Sequence, residues 1–137
     1  MRTAHSLLSN ASSVAVLTGA GISTDAGIPD FRGPDGLWTK NPGAERASNI
    51  ETYLTDEAAR RASWRMRLDN RLVNARPTPA HRSLVDLEGE GRLGGLVTQN
   101  IDGLHQMAGT SAELLTEVHG SVSGFVCVSC GVGGPIG

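Results

Sequence analysis

The stretch from Val14 to Trp38, VAVLTGAGISTDAGIPDFRGPDGLW, constrains the fold more than any other part of the chain. A short apolar run, Val14 to Leu17, reads as a buried strand and leads into Gly19-Ala20-Gly21. Two glycines let the backbone turn sharply and let a ligand approach it, because no Cβ intervenes. Ser23 and Thr24 follow as candidate helix caps, and free N–H groups at a helix start hold phosphate well. Gly27 to Gly33, GIPDFRG, then sets an acid, an aromatic ring and a guanidinium in succession at Asp30, Phe31 and Arg32. That trio is too dense in function for an ordinary turn.

The glycine spacing alone is not a dinucleotide fingerprint. G-x-G-x-x-G needs a third glycine where Thr24 stands, and an acid closing a second strand about 20 residues on. Pro29 to Trp38 instead reads as loop. A dehydrogenase is a poor reading on both counts, and a tight structural turn stays open as the plain one.

The remaining elements can be taken in order. Met1 to Ser13 reads as a short helix with Leu7 and Leu8 inward, and Thr39 to Asn49 as loop. Asp56 to Ala75 reads as a helix capped by Thr55, with Trp64, Leu68 and Leu72 on one face. Arg60, Arg61, Arg65, Arg67 and Arg71 form a solvated face, with a patch for acidic partners as the lesser alternative. Pro77-Thr78-Pro79 restarts the chain into a helix with Ala80, Leu84 and Leu87 inward. Gly89, Gly91, Gly94 and Gly95 break the chain before a second strand, Leu96 to Thr98.

Gln99-Asn100-Ile101-Asp102 follows that strand. Open parallel sheets bind ligands beyond the carboxyl ends of their strands. The alternative is an Asn/Asp turn capping the helix that carries Leu104 and Met107. Glu113 to Val118 is a third strand, ended by His119, whose ordinary pKa near neutrality suits a general base. His81 and His105 read as structural. Val122 to Val126 is a further short strand leading to Cys127 and Cys130, and the tail after Gly131 carries no signal of its own.

With 137 residues the chain makes one modest domain, and its net charge of −2 gives no general pull toward nucleic acid. No apolar run approaches membrane-span length and no basic-then-apolar leader is present, so a cytoplasmic setting without membrane contact is expected. C-x-x-C suits a metal knuckle or a redox pair better than a disulfide scaffold. Gly131 directly after it favours the knuckle, where a backbone N–H must approach a sulfur.

GAGIS, then GIPDFRG and GLW, resembles the cofactor loop of the sirtuins, the NAD-dependent protein-lysine deacylases. TQNID followed by GLH resembles the family's second signature, Glu117-Val118-His119-Gly120 its third, and the cysteine pair its zinc module. The resemblance runs from about Val14 to Cys130. It implies an α/β fold: a Rossmann-like parallel sheet, incomplete at about three strands, with an inserted helical module and half of a zinc-binding module. The chain is then a single domain, 1–137. Within it lie an NAD loop at 14–38, a helical and loop module at 39–75, a Rossmann-like continuation at 76–120 and a partial zinc module at 121–137.

The family further implies NAD and zinc as cofactors, an acetylated protein lysine as substrate, and transfer of the acyl group to ADP-ribose with release of nicotinamide. The cofactor-binding set would be Gly19, Ala20, Gly21, Ile22, Ser23, Asp30, Phe31, Arg32, Trp38, Gln99, Asn100, Ile101, Asp102 and His119. In it the Gly19–Ser23 turn carries the pyrophosphate, Phe31 shields the reactive carbon and Arg32 orders the phosphate side. Asn100 and Asp102 hold the nicotinamide ribose and amide, His119 is the catalytic base, and Cys127 and Cys130 bind zinc. Trp64-Arg65-Met66-Arg67 does not match the Tyr-x-x-Arg pair of sirtuins that remove succinyl groups, so no preference for acidic acyl groups is expected. The family's second cysteine pair and later strands do not follow Cys130, so a truncated or interrupted form is expected. Mono-ADP-ribosyl transfer at the same site is one alternative. A non-catalytic product that binds NAD weakly, or pairs with a fuller sirtuin copy, is another.

Overall fold

A computed structural model of the chain describes residues 3–68, 72 and 74–136. Its centre is a parallel sheet of three strands in the order β1 (Val14–Thr18), β2 (Leu93–Thr98), β3 (Leu115–Glu117). Register pairs Val16 with Leu96 and Thr18 with Thr98, and then Leu96 with Leu115 and Thr98 with Glu117. Side chains alternate across a sheet, so Leu96 and Thr98 share one buried face with Thr18, at 0%, 2% and 8% exposure. Leu17 and its partner Val97 point the other way.

Two helices cover the buried face, α6 (Pro79–Gly89) and α7 (Leu104–Ala108). Pro79 opens α6 and Thr78 caps it. The cap is reciprocal: the Thr78 side chain accepts from the His81 N–H, and the His81 ring accepts from the Thr78 N–H. Histidine here does what Glu or Gln does in the usual capping box. Leu84 and Leu87 are half-buried as expected, but Ala80 is exposed and His81 is the residue that points inward.

The outer face has no cover among the described residues. Leu17, Val97 and Val118 stay 68%, 37% and 50% exposed. The chain presents 9039 Å² of accessible surface for 14.3 kDa, where a compact monomer of that mass would present roughly 6,800 Å².

Several sequence expectations need correction. Helix α1 spans only Ala4–Asn10, and Leu7 and Leu8 are exposed rather than inward. Its end is held through the backbone instead, because Arg92 donates to the carbonyls of Leu8 and Ala11. The supposed loop 39–49 is largely helical, with α2 at Leu37–Lys40 and α3 at Pro42–Ala47. Pro42 stands at the first turn of α3, where its missing N–H costs nothing.

The long helix is two: α4 (Ile50–Thr55) and α5 (Glu57–Arg67). Asp56 breaks them apart by capping α5, accepting from the N–H of Ala58 at 2.8 Å. Thr55 is no cap, since its hydroxyl donates to the Glu51 carbonyl. Trp64 ties the two helices together through a bond to the Tyr53 hydroxyl at 3.0 Å, while Leu68 is exposed. The expected continuation to Ala75, and Arg71 with it, falls partly on residues 69–71 and 73, outside the described residues.

The second strand starts earlier than expected and includes both Gly94 and Gly95. A Cβ on Gly94 would run into Ser13 Oγ, so glycine here admits a close crossing rather than ending a strand. The tail is also structured: β4 (Gly124–Val126) pairs antiparallel with β5 (Gly133–Pro135), placing Cys127 and Cys130 in the connecting turn.

Candidate active site at the strand ends

Because the strands are parallel, the segments after β1, β2 and β3 all emerge on one edge. Gly19 to Ala26 leave β1, with Ala20–Ala26 forming a 3-10 helix. Gln99 to Asp102 leave β2, and His119 follows β3 by two residues. The backbone joins the three: Gln99 N–H donates to the Thr18 carbonyl and Val118 N–H to the Thr98 carbonyl, each at 3.0 Å.

Ser23 and Asp102 meet across this edge. The Ser23 hydroxyl, fully buried, donates to Asp102 Oδ2 at 2.7 Å. The second carboxylate oxygen accepts the Leu104 N–H at 3.0 Å, so Asp102 also holds the start of α7. Asn100, 9% exposed, donates through Nδ2 to the Gly19 carbonyl at 3.1 Å and to Ser23 Oγ at 3.2 Å. Its Oδ1 takes part in neither bond and remains an acceptor for something else.

Ser23 and Thr24 therefore do not cap a helix. Gly19 occupies the cap position without a side-chain bond, and Thr24 donates to the Gly21 carbonyl. Serine at this position is used sideways, to lock the turn onto the second strand. The turn still suits a large anionic ligand: a Cβ built on Gly21 meets nothing within 4 Å, so the space above that backbone is open.

The loop that follows is folded on itself. Asp30 accepts the Gly33 N–H at 2.9 Å. The Phe31 and Trp38 rings lie 4.9 Å apart, and the Arg32 guanidinium sits 4.6 Å above the Trp38 ring. Phe31 and Arg32 are exposed. Gln99, Ile101 and the exposed His119 lie on the same sheet edge, and no side-chain bond among the described residues ties His119 to Asn100 or Asp102.

Sequence reasoning missed the layer beneath. Thr18 donates to Thr98 at 2.9 Å, Thr98 accepts the Asn100 N–H at 3.1 Å, and His105 Nε2 lies 2.9 Å from Thr18 Oγ1. His81 packs against His105, and Thr78 next to it donates to the Ile22 carbonyl at 3.1 Å. Burial pushes the His105 pKa down to about 4 and also lowers that of His81. Both rings are thus neutral. The available signal was a threonine closing each of two otherwise apolar strands.

Cys127 and Cys130 stand apart from this edge. Gly131 adopts φ +74° and donates its N–H to the Cys127 carbonyl at 2.8 Å, while Cys127 N–H donates to the Val132 carbonyl at 2.7 Å. The N–H groups of Ser129 and Cys130 aim at the Cys127 sulfur and lower its pKa. A turn that stabilises a thiolate fits a metal ligand. Two sulfurs are half of a tetrahedral zinc set, and the described residues hold no cluster of three or more His, Cys, Asp or Glu.

The profile of the Sir2 family matches residues 19–134. NAD-dependent protein deacetylase 2 of Streptomyces coelicolor is 50% identical over 123 residues, which is 90% of this chain and 51% of that protein. The NAD-dependent protein deacetylase of Thermodesulfovibrio yellowstonii is 41% identical over 92% of this chain and 48% of its own length. Among solved structures, Sir2 with a deacetylated p53 peptide and 3′-O-acetyl ADP-ribose superposes with TM-score 0.81 at 35% identity, over 94% of this chain and 50% of that one. A Sir2 homologue in complex with NAD gives 0.74 at 37% identity, over 94% and 49%. The chain spans about half the length of the relatives it matches. It belongs to the Sir2 family.

Proposed function

We propose that the chain supplies the NAD-handling and catalytic residues of an NAD-dependent deacetylase acting on acetylated protein lysine. The observation that carries this reading is the buried cluster of Ser23, Asn100 and Asp102, which clamps a glycine turn against the end of β2. The names of the relatives and their complexes with NAD, acetyl ADP-ribose and a deacetylated peptide support it.

NAD, when bound, supplies the ADP-ribosyl group that takes the acetyl group from lysine as nicotinamide leaves. The chain's own residues do the rest. Gly19, Ala20, Gly21, Ile22 and Ser23 offer backbone to the pyrophosphate, with open space over Gly21. Asn100 faces the nicotinamide side with its uncommitted Oδ1, and Asp102 keeps Ser23 and α7 in place around it. Gln99 and Ile101 line the same edge. Asp30 shapes the loop, Phe31 and Trp38 wall it, and Arg32 turns to the phosphates. His119 accepts a proton from a ribose hydroxyl at an imidazole nitrogen, assistance worth about 10²–10⁴-fold. Cys127 and Cys130 hold one side of a structural zinc ion, and a cytoplasmic setting agrees with thiols kept reduced.

The test is NAD-dependent removal of the acetyl group from an acetylated lysine peptide, by this chain fused to the second half of the Streptomyces coelicolor deacetylase. Deacetylation should occur and should vanish with His119→Ala, while NAD binding persists. Deacetylation that survives His119→Ala at the parent rate would remove His119 from the mechanism.

A further inference from the structure

Two buried histidines each leave one ring nitrogen without a partner: Nε2 of His81 and Nδ1 of His105. The rings are 0% and 1% exposed, with centroids 4.7 Å apart and planes inclined at 55°. Buried polar atoms are nearly always bonded, so two orphans on facing rings call for an explanation.

The surrounding bonds decide where each proton sits. At His81, Nδ1 receives the Thr78 N–H at 3.2 Å and lies 2.8 Å from Thr78 Oγ1, whose single proton it shares with the Ile22 carbonyl. A backbone N–H can only donate, so Nδ1 is bare and the neutral ring carries its proton on Nε2. At His105, Nε2 lies 2.9 Å from Thr18 Oγ1. Thr18 has one hydroxyl proton and gives it to Thr98. It must therefore accept from His105, which puts the proton on Nε2 and leaves Nδ1 bare. The orphans are thus a donor on His81 and an acceptor on His105, a complementary pair.

We propose that His105 is a positioning residue for Asn100, acting through Thr18 and Thr98, and that His81 holds it in the Nε2–H form this requires. One buried water, accepting from His81 Nε2 and donating to His105 Nδ1, completes the link; waters of this kind normally satisfy buried groups of both types. The chain of bonds then runs from the Thr78 cap through both rings to Thr18, Thr98 and the Asn100 N–H. Ser23 and Asp102 bind Asn100 and α7 from the other side, so the network closes on the helix that bears His105. A proton added to either ring would turn an acceptor nitrogen into a second donor and break the chain. Asp102 favours that proton at both rings, whereas Arg82 opposes it at His81 and His81 opposes it at His105.

The assignment rests on the role given above to Asn100. Its test reads proton positions and the Asn100 side chain rather than turnover, so the two can fail separately. In long-range proton–nitrogen spectra of the nitrogen-15 protein at pH 7, both histidines should carry the proton on Nε2 alone. In His81→Leu, His105 should lose that preference and show both tautomers. His105→Gln can set an amide N–H where Nε2–H stood and should keep the Asn100 side-chain amide signals in place. His105→Asn, whose amide falls at the Nδ1 position, should shift them. His105 protonated on Nδ1, or equal Asn100 signals in the Gln and Asn variants, would overturn the proposal.

Discussion

Ser23 and Asp102, 79 positions apart in the chain, meet in a hydrogen bond of 2.7 Å between a fully buried hydroxyl and a carboxylate. The bond fastens the turn after β1 to the segment after β2. Ser23→Ala would leave Asp102 Oδ2 without its donor and remove one acceptor of Asn100. Leaving such a group unsatisfied costs about 1–3 kcal/mol. Urea unfolding of Ser23→Ala, Asn100→Ala and the double variant should give non-additive losses, because the two residues share a bond. Strictly additive losses would mean that the cluster is not a unit.

Two glycines of the cofactor region should respond in opposite ways. Gly21 has open space where a Cβ would stand, whereas a Cβ on Gly36 would lie 2.7 Å from both the Phe31 carbonyl atoms and Asp30 Oδ1. Gly21→Ala should leave the melting temperature unchanged and weaken NAD or ADP-ribose binding by obstructing the approach to the turn. Gly36→Ala forces backbone apart and should cost about 1–3 kcal/mol of stability. Calorimetric melting beside ligand titration separates the two. A Gly21→Ala variant with parental affinity would place the pyrophosphate elsewhere.

Stability should fall in mild acid. The folded His105 has its pKa near 4, against about 6.5 for an unfolded histidine. Between those values the unfolded chain binds a proton that the folded chain does not, so stability is complete above about pH 6.5 and declines as pH falls toward 4. The shift corresponds to roughly 3 kcal/mol at most. Melting temperature followed from pH 7.5 to 4.5 should drop for the parent and drop less for His105→Gln. Identical profiles would assign the acid sensitivity to other groups.

Zinc should engage the cysteine turn. Cys127 and Cys130 sit in one tight turn, with the N–H groups of Ser129 and Cys130 already directed at the Cys127 sulfur. Zinc should slow alkylation of both thiols together, and Cys127→Ser should expose Cys130 again. Alkylation at the same rate with and without zinc would leave the turn without a metal role.

The sheet was legible because its strands are apolar runs closed by polar ends, and polar residues at the carboxyl ends of parallel strands have few uses other than a ligand. Asn100, Asp102 and the Gly19–Ser23 turn could be placed on one edge from that pattern alone. Residues 37–47 were not legible, because Pro42 and Gly43 signal a break whether they open a helix or end one. The tail strand Gly133–Pro135 was not legible either. Glycine and proline carry no period, and that strand exists only through its pairing with Gly124–Val126. Asp56 was read as a helix residue rather than as the cap dividing two helices, since its side chain is equally at home in both positions. His81 and His105 were read as structural, and nothing in their spacing showed that they touch.

The alternation along the two central strands also works as a form of proofreading. Thr18 and Thr98 pair side by side facing the histidines, while Leu17 and Val97 pair facing out. A slip of β1 by a single position would put Leu17 in front of His105 and strand the imidazole N–H against a hydrocarbon. The penalty would be immediate, local and paid before any ligand arrives. An ordinary oily interior tolerates such errors, since one aliphatic side chain replaces another at little cost. Here the misaligned pairing has no satisfied alternative, and a nascent chain that samples it is driven back to the one alignment in which the Thr18 and Thr98 hydroxyls find their mates.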